Sequence, residues 1–285
     1  MHALARYGWI GLLVLVSMGA DAACPNQAAV AAYVVDFRAA RPSQGFGADL
    51  TLADAKCARG RLVRKLSPVL GRVVGYKAAF TNPAMRARFG VKEPAWGAMF
   101  EKTLAGSGAT LPARFGAYPQ YEADLIVVVK DAGLVDAKTP LEALRHLSAV
   151  IPFIELPDRM LEGPLTGVGL VATNVGFRAG VLGRPMPVEP TQAFVDTLAN
   201  MTVVMTDSRG GQELGRASGS TLMNHPLNAA LWLAQALKQD GIALKPGDLL
   251  SLGGYFPPAP TRPGTSIMVQ YRGLPGDPSV TVRFE

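Results

Sequence analysis

The 285-residue chain is 49% hydrophobic and 18% charged, with a net charge of +6. That balance excludes a disordered polyelectrolyte, which buries too little apolar surface to offset chain entropy. The basic excess is spread out, and its one cluster, Arg59, Arg61, Arg64 and Lys65, has the spacing of a solvated helix face, so no nucleic-acid partner is expected.

In chain order, Arg6 supplies a basic start, Trp9 to Val16 an apolar run, and Ala20 and Ala22 the small-residue pattern that signal peptidase reads. Residues 1–22 therefore read as a signal peptide. Residues 23–285 read as a single mature domain, periplasmic or secreted, helical over about 23–70 and β-rich over about 71–285. The leader's apolar run is shorter than the roughly 20 residues that cross a bilayer. No later stretch is long and apolar enough, so the mature protein is expected to lack a membrane span. Cys24 follows the cleavage zone and raises a lipoprotein alternative, but Asp21 stands where such a signal wants an aliphatic residue. Cys24 and Cys57 are the only cysteines. Outside the cytoplasm such a pair reads as a disulfide, contributing roughly 3 kcal/mol through loop entropy.

An apolar stripe predicts a helix over Ala28–Ala40, and Thr51 with Asp54 forms an N-cap pattern opening a second helix to about Leu66. A strand over Arg72–Phe80 and a helical turn over Pro83–Phe89 follow. Aliphatic and β-branched runs predict strands at Asp124–Lys130, Ala149–Leu156, Val168–Thr173, Met201–Thr206, Asp248–Leu252, Ser266–Tyr271 and Val280–Phe284. Helices fall at about 140–147, 190–199 and 226–239. Strand runs without regular βαβ alternation indicate an α+β architecture.

Glu122 and Asp124 stand two apart at a strand start, so their carboxylates share one face. Glu155 lies in an apolar run, where its charge demands a proton, a cation or a metal. Three oxygen ligands from two strands suit Mg²⁺ or Mn²⁺. The competing reading is two edge acids and one ion-paired Glu. Lys77, in another apolar strand, is either aimed at an anionic group or an edge lysine facing solvent. His146 and His225 read as surface, capping or packing residues. No G-x-S-x-G elbow occurs, which opposes an ordinary serine hydrolase.

In order, GYKAAFTNPAMRARFG, PAWGAMF, YEADLIVVV, FIELPD, NHPLNAALWLAQAL and LGGYF…VTVRF resemble the 2-keto-4-pentenoate hydratase and 4-oxalocrotonate decarboxylase branch of the fumarylacetoacetate hydrolase superfamily. The resemblance spans nearly the whole mature chain. It implies a mixed β-roll core with flanking helices, a small anionic 2-oxo acid as substrate, and assembly into a homo-oligomer. It also implies a divalent metal on Glu122, Asp124 and Glu155, Lys77 as the catalytic proton-transfer or electrostatic partner, and substrate contacts at Asn174 and Tyr255. The pattern departs from that branch at Ala95, where an acid is usual, at Thr173 and Gly176 around Asn174, and at Tyr255, where a Ser is usual. A metal-dependent lyase of hydratase or decarboxylase type is therefore expected. The alternatives are a periplasmic binder of an acidic metabolite and a diketo-acid carbon–carbon hydrolase, whose His-Glu lid pair is not found here.

Overall fold

A computed structural model describes residues 24–285, so the signal-peptide reading of residues 1–22 lies outside the described residues. The helical entry is α1 (Gln27–Arg38) and α2 (Leu52–Leu70), followed by β1 (Val73–Ala79), α3 (Pro83–Phe89), β2 (Ala95–Phe100), β3 (Leu104–Gly106) and β4 (Ala109–Leu111). Then come β5 (Gln120–Val129), α4 (Pro140–Arg145), β6 (Leu147–Pro157), α5 (Gly167–Ala172), β7 (Phe177–Leu182), β8 (Met186–Pro187) and α6 (Gln192–Asn200). The chain closes with β9 (Thr202–Asp207), β10 (Gln212–Ser218), α7 (Pro226–Gln239), β11 (Leu249–Ser251), β12 (Ala259–Pro260), β13 (Ser266–Arg272) and β14 (Ser279–Phe284).

Among the described residues these strands form two mixed sheets, and the α+β, β-roll expectation holds. The larger has nine strands along the path β2-β1-β11-β5-β6-β7-β3, with β12 on β5 and β8 on β6. The smaller has five in the order β10-β9-β13-β14-β4. Tyr271 on β13 is buried and donates from its hydroxyl to the Asp124 carbonyl of β5, which fastens the smaller sheet behind the middle of the larger one. An apolar core runs continuously from Val30 in α1 to Phe284 in β14.

Local chemistry explains most boundaries. Thr51 and Asp54 form a reciprocal capping box that opens α2. Gly75 interrupts β1 because a Cβ there would run into the Leu249 backbone of the parallel neighbour β11. The run at 168–173 corrects the strand expected there. It is the helix α5, capped by Thr166, whose side chain accepts from the Gly169 amide. Its Val171 and Ala172 lie against Ala55 and Ala58 of α2, so apolarity in this segment serves helix packing. The basic cluster is also only partly a solvated face. Arg59 is buried, stacked 3.3 Å over the Trp96 ring, and bonded to Asp240 at 2.8 Å and to the Trp96 carbonyl at 2.9 Å.

Cys24 and Cys57 are joined in a disulfide that ties the segment before α1 to the second turn of α2. Arg61 reinforces the junction by donating to the Pro25 carbonyl at 2.7 Å. Replacing both cysteines with serine is expected to cost about 3 kcal/mol, or roughly 6–12 °C in melting temperature for a protein of this size. Thermal unfolding that is the same in the variant and the wild type would contradict a stabilising bridge.

Candidate active site

Four neighbouring strands supply the site. In the order β1-β11-β5-β6 they carry Lys77, Ser251, the Glu122–Asp124 pair and Glu155. Lys77 pairs with Ser251 across the parallel β1–β11 contact, and Glu122 faces Glu155 directly across β5–β6. Side chains opposite each other on antiparallel strands share a face, so all three acids project to one side. Lys77 and Glu155 are three strand steps apart. On a flat sheet that is about 14 Å at 4.8 Å per step, too far for their side chains to meet. They do meet, Lys77 Nζ donating to Glu155 Oε1, because the sheet curls on itself. Curling converts a row of strands into a buried charged pocket.

The surroundings of each group differ. Asp124 is fully buried. Its Oδ2 accepts from Ser251 at 2.6 Å, and its Oδ1 accepts from the amides of Gly253 at 2.9 Å and Leu125 at 2.6 Å. Glu155 uses Oε1 on Lys77 and leaves the buried Oε2 without a partner. Glu122 opens onto a cavity of about 400 Å³. It abuts Gly254, where a Cβ would stand 2.5 Å from Glu122 Oε2. The Gly253-Gly254 step thus lets backbone pass against both acids of the E-x-D pair.

Lys77 also donates to the Val175 carbonyl at 3.2 Å. That carbonyl is aimed by a strained turn. Asn174, Val175 and Gly176 all have positive φ, of 58°, 52° and 68°, and a β-branched residue such as Val175 enters that region only when its surroundings force it. Asn174 holds the turn. Its Oδ1 accepts from the Ala98 amide at 2.7 Å and its Nδ2 donates to the Ala98 carbonyl at 2.8 Å. Asn174 is therefore a backbone clamp on β2 and stands apart from the cavity lining, which departs from the substrate contact expected of it. Tyr255 does line the cavity, and its hydroxyl is buried without a partner.

Three acids share one lysine, and the titration of the cluster follows. Burial, then repulsion from Glu155, raises Asp124 to about 7. Burial and Glu155 together push Glu122 well above the usual carboxylate range, and burial raises Glu155 against the pull of Lys77. Burial opposes the charge on Lys77, but Glu155, Glu122 and Asp124 outweigh it and raise its pKa. The pocket is short of positive charge. Its carboxylates lie on one face without closing on a point, and among the described residues no three acid, His or Cys side chains form a finished metal cage. The Ser251 and Gly253 bonds turn Asp124 inward, and Lys77 draws Glu155 to itself. The donor set nonetheless suits a hard cation, since among the described residues Glu155 Oε2 is orphaned, Glu122 makes no ion pair, and the charge deficit is uncompensated.

His225 and His146 stay out of this chemistry. His225 caps α7, with Nδ1 accepting from Leu227 at 3.0 Å and Nε2 bonded to the Val195 carbonyl at 3.0 Å. His146 pairs with Asp131. Sequence reasoning missed Asp158 of the FIELPD segment. It is buried, lines the cavity, and gathers Arg178 at 3.0 Å and the amides of Ala117 and Tyr118. The signal was an acid directly after a strand's closing proline.

No family model matches the chain. It is 28% identical over 238 residues to 2-keto-4-pentenoate hydratase from Paraburkholderia xenovorans, covering 83% of this chain and 85% of the relative. It is 26% identical over 238 residues to 4-oxalocrotonate decarboxylase from Pseudomonas putida, covering 83% and 86%. This chain is thus similar in sequence to curated 2-keto-4-pentenoate hydratases and 4-oxalocrotonate decarboxylases. The fold agrees with that branch. The structure of 4-oxalocrotonate decarboxylase from Pseudomonas putida G7, complexed with magnesium and adipate, superimposes with a TM-score of 0.79 over 90% of this chain and 96% of that one, at 24% identity.

The raised acids set a pH signature for protein stripped of metal by chelator. The unfolded chain releases the Asp124 proton near 3.8, whereas the folded chain keeps it to about 7. The folded state therefore binds more protons between those values, and the Asp124 contribution to stability falls as pH rises through the window. Asp124→Asn should gain on wild type by a few kcal/mol in urea unfolding between pH 4 and 7, because each tenfold difference in proton affinity is worth about 1.4 kcal/mol. A difference that stays constant across that window would contradict the assignment.

Proposed function

We propose that the chain is a divalent-metal-dependent lyase, of hydratase or decarboxylase type, acting on a small 2-oxo or 2-hydroxydienoic acid outside the cytoplasm. The observation that carries this reading is the buried charge deficit: three carboxylates on one face around a single lysine, of which Glu122 and Lys77 line the 400 Å³ cavity. Glu122 and Glu155 would hold Mg²⁺ or Mn²⁺ through oxygens that have no other partner among the described residues, and Asp124 through the remaining lone pair of its Ser251-bound oxygen. When bound, the cation supplies Lewis acidity to the carboxylate and 2-oxo oxygens of the substrate.

The chain's own residues do the rest. Lys77 keeps a proton at Nζ, held between Glu155 Oε1 and the Val175 carbonyl, and moves it to or from the substrate carbon that gains or loses charge. Tyr255 offers its unpaired hydroxyl to the substrate. Phe80, Phe89 and Phe256 line the cavity and limit water around the reacting carbon. The site skeleton serves addition of water and loss of CO₂ alike, since both pass through the same stabilised enolate.

Residues 23–285 are read as one domain exported by the leader at 1–22, and the Cys24–Cys57 bridge supports an oxidising destination. No helix among the described residues is long and apolar enough to cross a membrane. Exposed Val35, Leu52 and Val69 on the first two helices support homo-oligomer assembly through those helices. A second reading, a non-catalytic binder of an acidic metabolite, is favoured by the commitment of Asn174 to Ala98.

Calorimetry with Mn²⁺ tests the metal site independently of turnover. Glu122→Ala should weaken binding at least about 10-fold, since even the partners that only orient a metal's ligands matter on that scale. Unchanged affinity would refute the site. Turnover of any 2-oxo acid with added Mn²⁺ would exclude the binder.

A further inference from the structure

Cys57 lies in the stretch of α2 that supports both flanks of the strained turn at Asn174–Gly176. Within one helical turn of it, Ala55 and Ala58 meet Val171 and Ala172, which close α5 directly before that turn. On the other flank Arg59 donates to the Trp96 carbonyl at 2.9 Å. The next residue, Gly97, lies so close that a Cβ there would stand 2.6 Å from the Asn174 carbonyl oxygen. The turn itself offers the Val175 carbonyl to Lys77.

Cys24 stands just before α1, which reaches the same turn by a second route. Arg178 donates to the Phe37 carbonyl of α1 at 2.8 Å, rests 4.3 Å from the Phe37 ring centre, and pairs with Asp158 at 3.0 Å. The Asp158 amide donates to the Gly176 carbonyl at 2.9 Å. Two helices therefore support one turn, and the Cys24–Cys57 bridge joins those helices. Both half-cystines are only partly buried, which leaves the bridge open to a small dithiol.

We propose that the Cys24–Cys57 bridge is a redox switch for the candidate active site. Closed, it holds α1 and α2 as one support under the turn that positions Lys77. Opened by a dithiol, it frees the segment before α1 and the support loosens. The step is thiol–disulfide exchange: the S–S bond breaks, two electrons and two protons pass to the cysteines as thiols, and the dithiol becomes a disulfide. The turn is the responsive element, because three successive residues at positive φ persist only while packing over-determines them. The bridge restricts states in which the N-terminal segment has come away, so its loss populates local opening there first. A chain with both thiols free, as in a reducing cytoplasm, carries a loosened site that oxidation completes. The effect on metal binding rests on the reading of the acids as a cation seat, whereas the bracing of the turn does not.

Amide hydrogen exchange and Mn²⁺ calorimetry test this on the oxidised protein, the protein reduced with dithiothreitol, and the variant Cys24→Ser, Cys57→Ser. Circular dichroism checks folding, and reduction of the folded protein keeps the comparison available if the variant does not fold. Opening the bridge should speed exchange at residues 171–178 at least about 10-fold more than in β9 and β13, part of what a bridge across such a loop supplies. Mn²⁺ binding should weaken at least about 3-fold as the competent population falls. Exchange that is unchanged at 171–178, or that rises equally in β9 and β13, would overturn the switch and leave a general brace. A loosened turn with unchanged Mn²⁺ affinity would also overturn it. No Mn²⁺ binding by the oxidised protein would overturn the cation seat, and exchange would still decide the switch.

Discussion

Lys77 is buried among three carboxylates and can neutralise only one of them, and much of the architecture is arranged around that imbalance. An isolated charge in the interior costs several kcal/mol, so a fold does not gather three acids there for stability. The pair with Glu155 settles one charge, and hydrogen bonds from Ser251, Gly253 and Leu125 spread that of Asp124. Among the described residues nothing settles Glu122 or the second oxygen of Glu155. A site left in that condition needs protons or a cation, and it lies at the floor of an apolar-walled cleft. Tolerated electrostatic cost of this kind marks function more often than structure.

The fold delivers the imbalance through register and curvature. Direct pairing of Glu122 with Glu155 fixes two acids side by side, and a one-residue slip would send both to the opposite face. The curl of the nine-stranded sheet brings β1 over β6, and Tyr271 from the second sheet holds β5 from behind. The turn at Asn174 to Gly176 adds a carbonyl on the far side of Lys77. Clamping that turn to Ala98 fixes the ammonium between a carboxylate and a dipole. Each device commits local strain or close packing to the position of one nitrogen.

Much of this could be read in the amino-acid order. The E-x-D spacing predicts a shared face, an apolar run around Glu155 predicts burial, and Thr51 with Asp54 predicts the start of α2; all three hold in the structure. What escaped depends on distant partners. The opposition of Glu122 and Glu155 is a matter of register, which no local pattern encodes. The 168–173 segment has the apolar density of a strand, yet it becomes helix because α2 presents Ala55 and Ala58 to receive it. Arg59 looks like one member of a solvated row until Trp96 and Asp240, far along the chain, enclose it. The strand β10, polar and largely exposed, exists through its pairing with β9 and carries little hydrophobic periodicity. The resemblance to hydratases placed Asn174 at the substrate, whereas the structure gives its carboxamide to β2.

The central claim is that the charge deficit around Lys77 is a cation seat. Crystals soaked in Mn²⁺ and measured at an energy sensitive to manganese test it most directly. The account predicts one strong anomalous peak in contact with Glu122 and Glu155, with Asp124 within reach and Lys77 still beside it. A peak elsewhere on the surface, or an empty floor at saturating Mn²⁺, would contradict it.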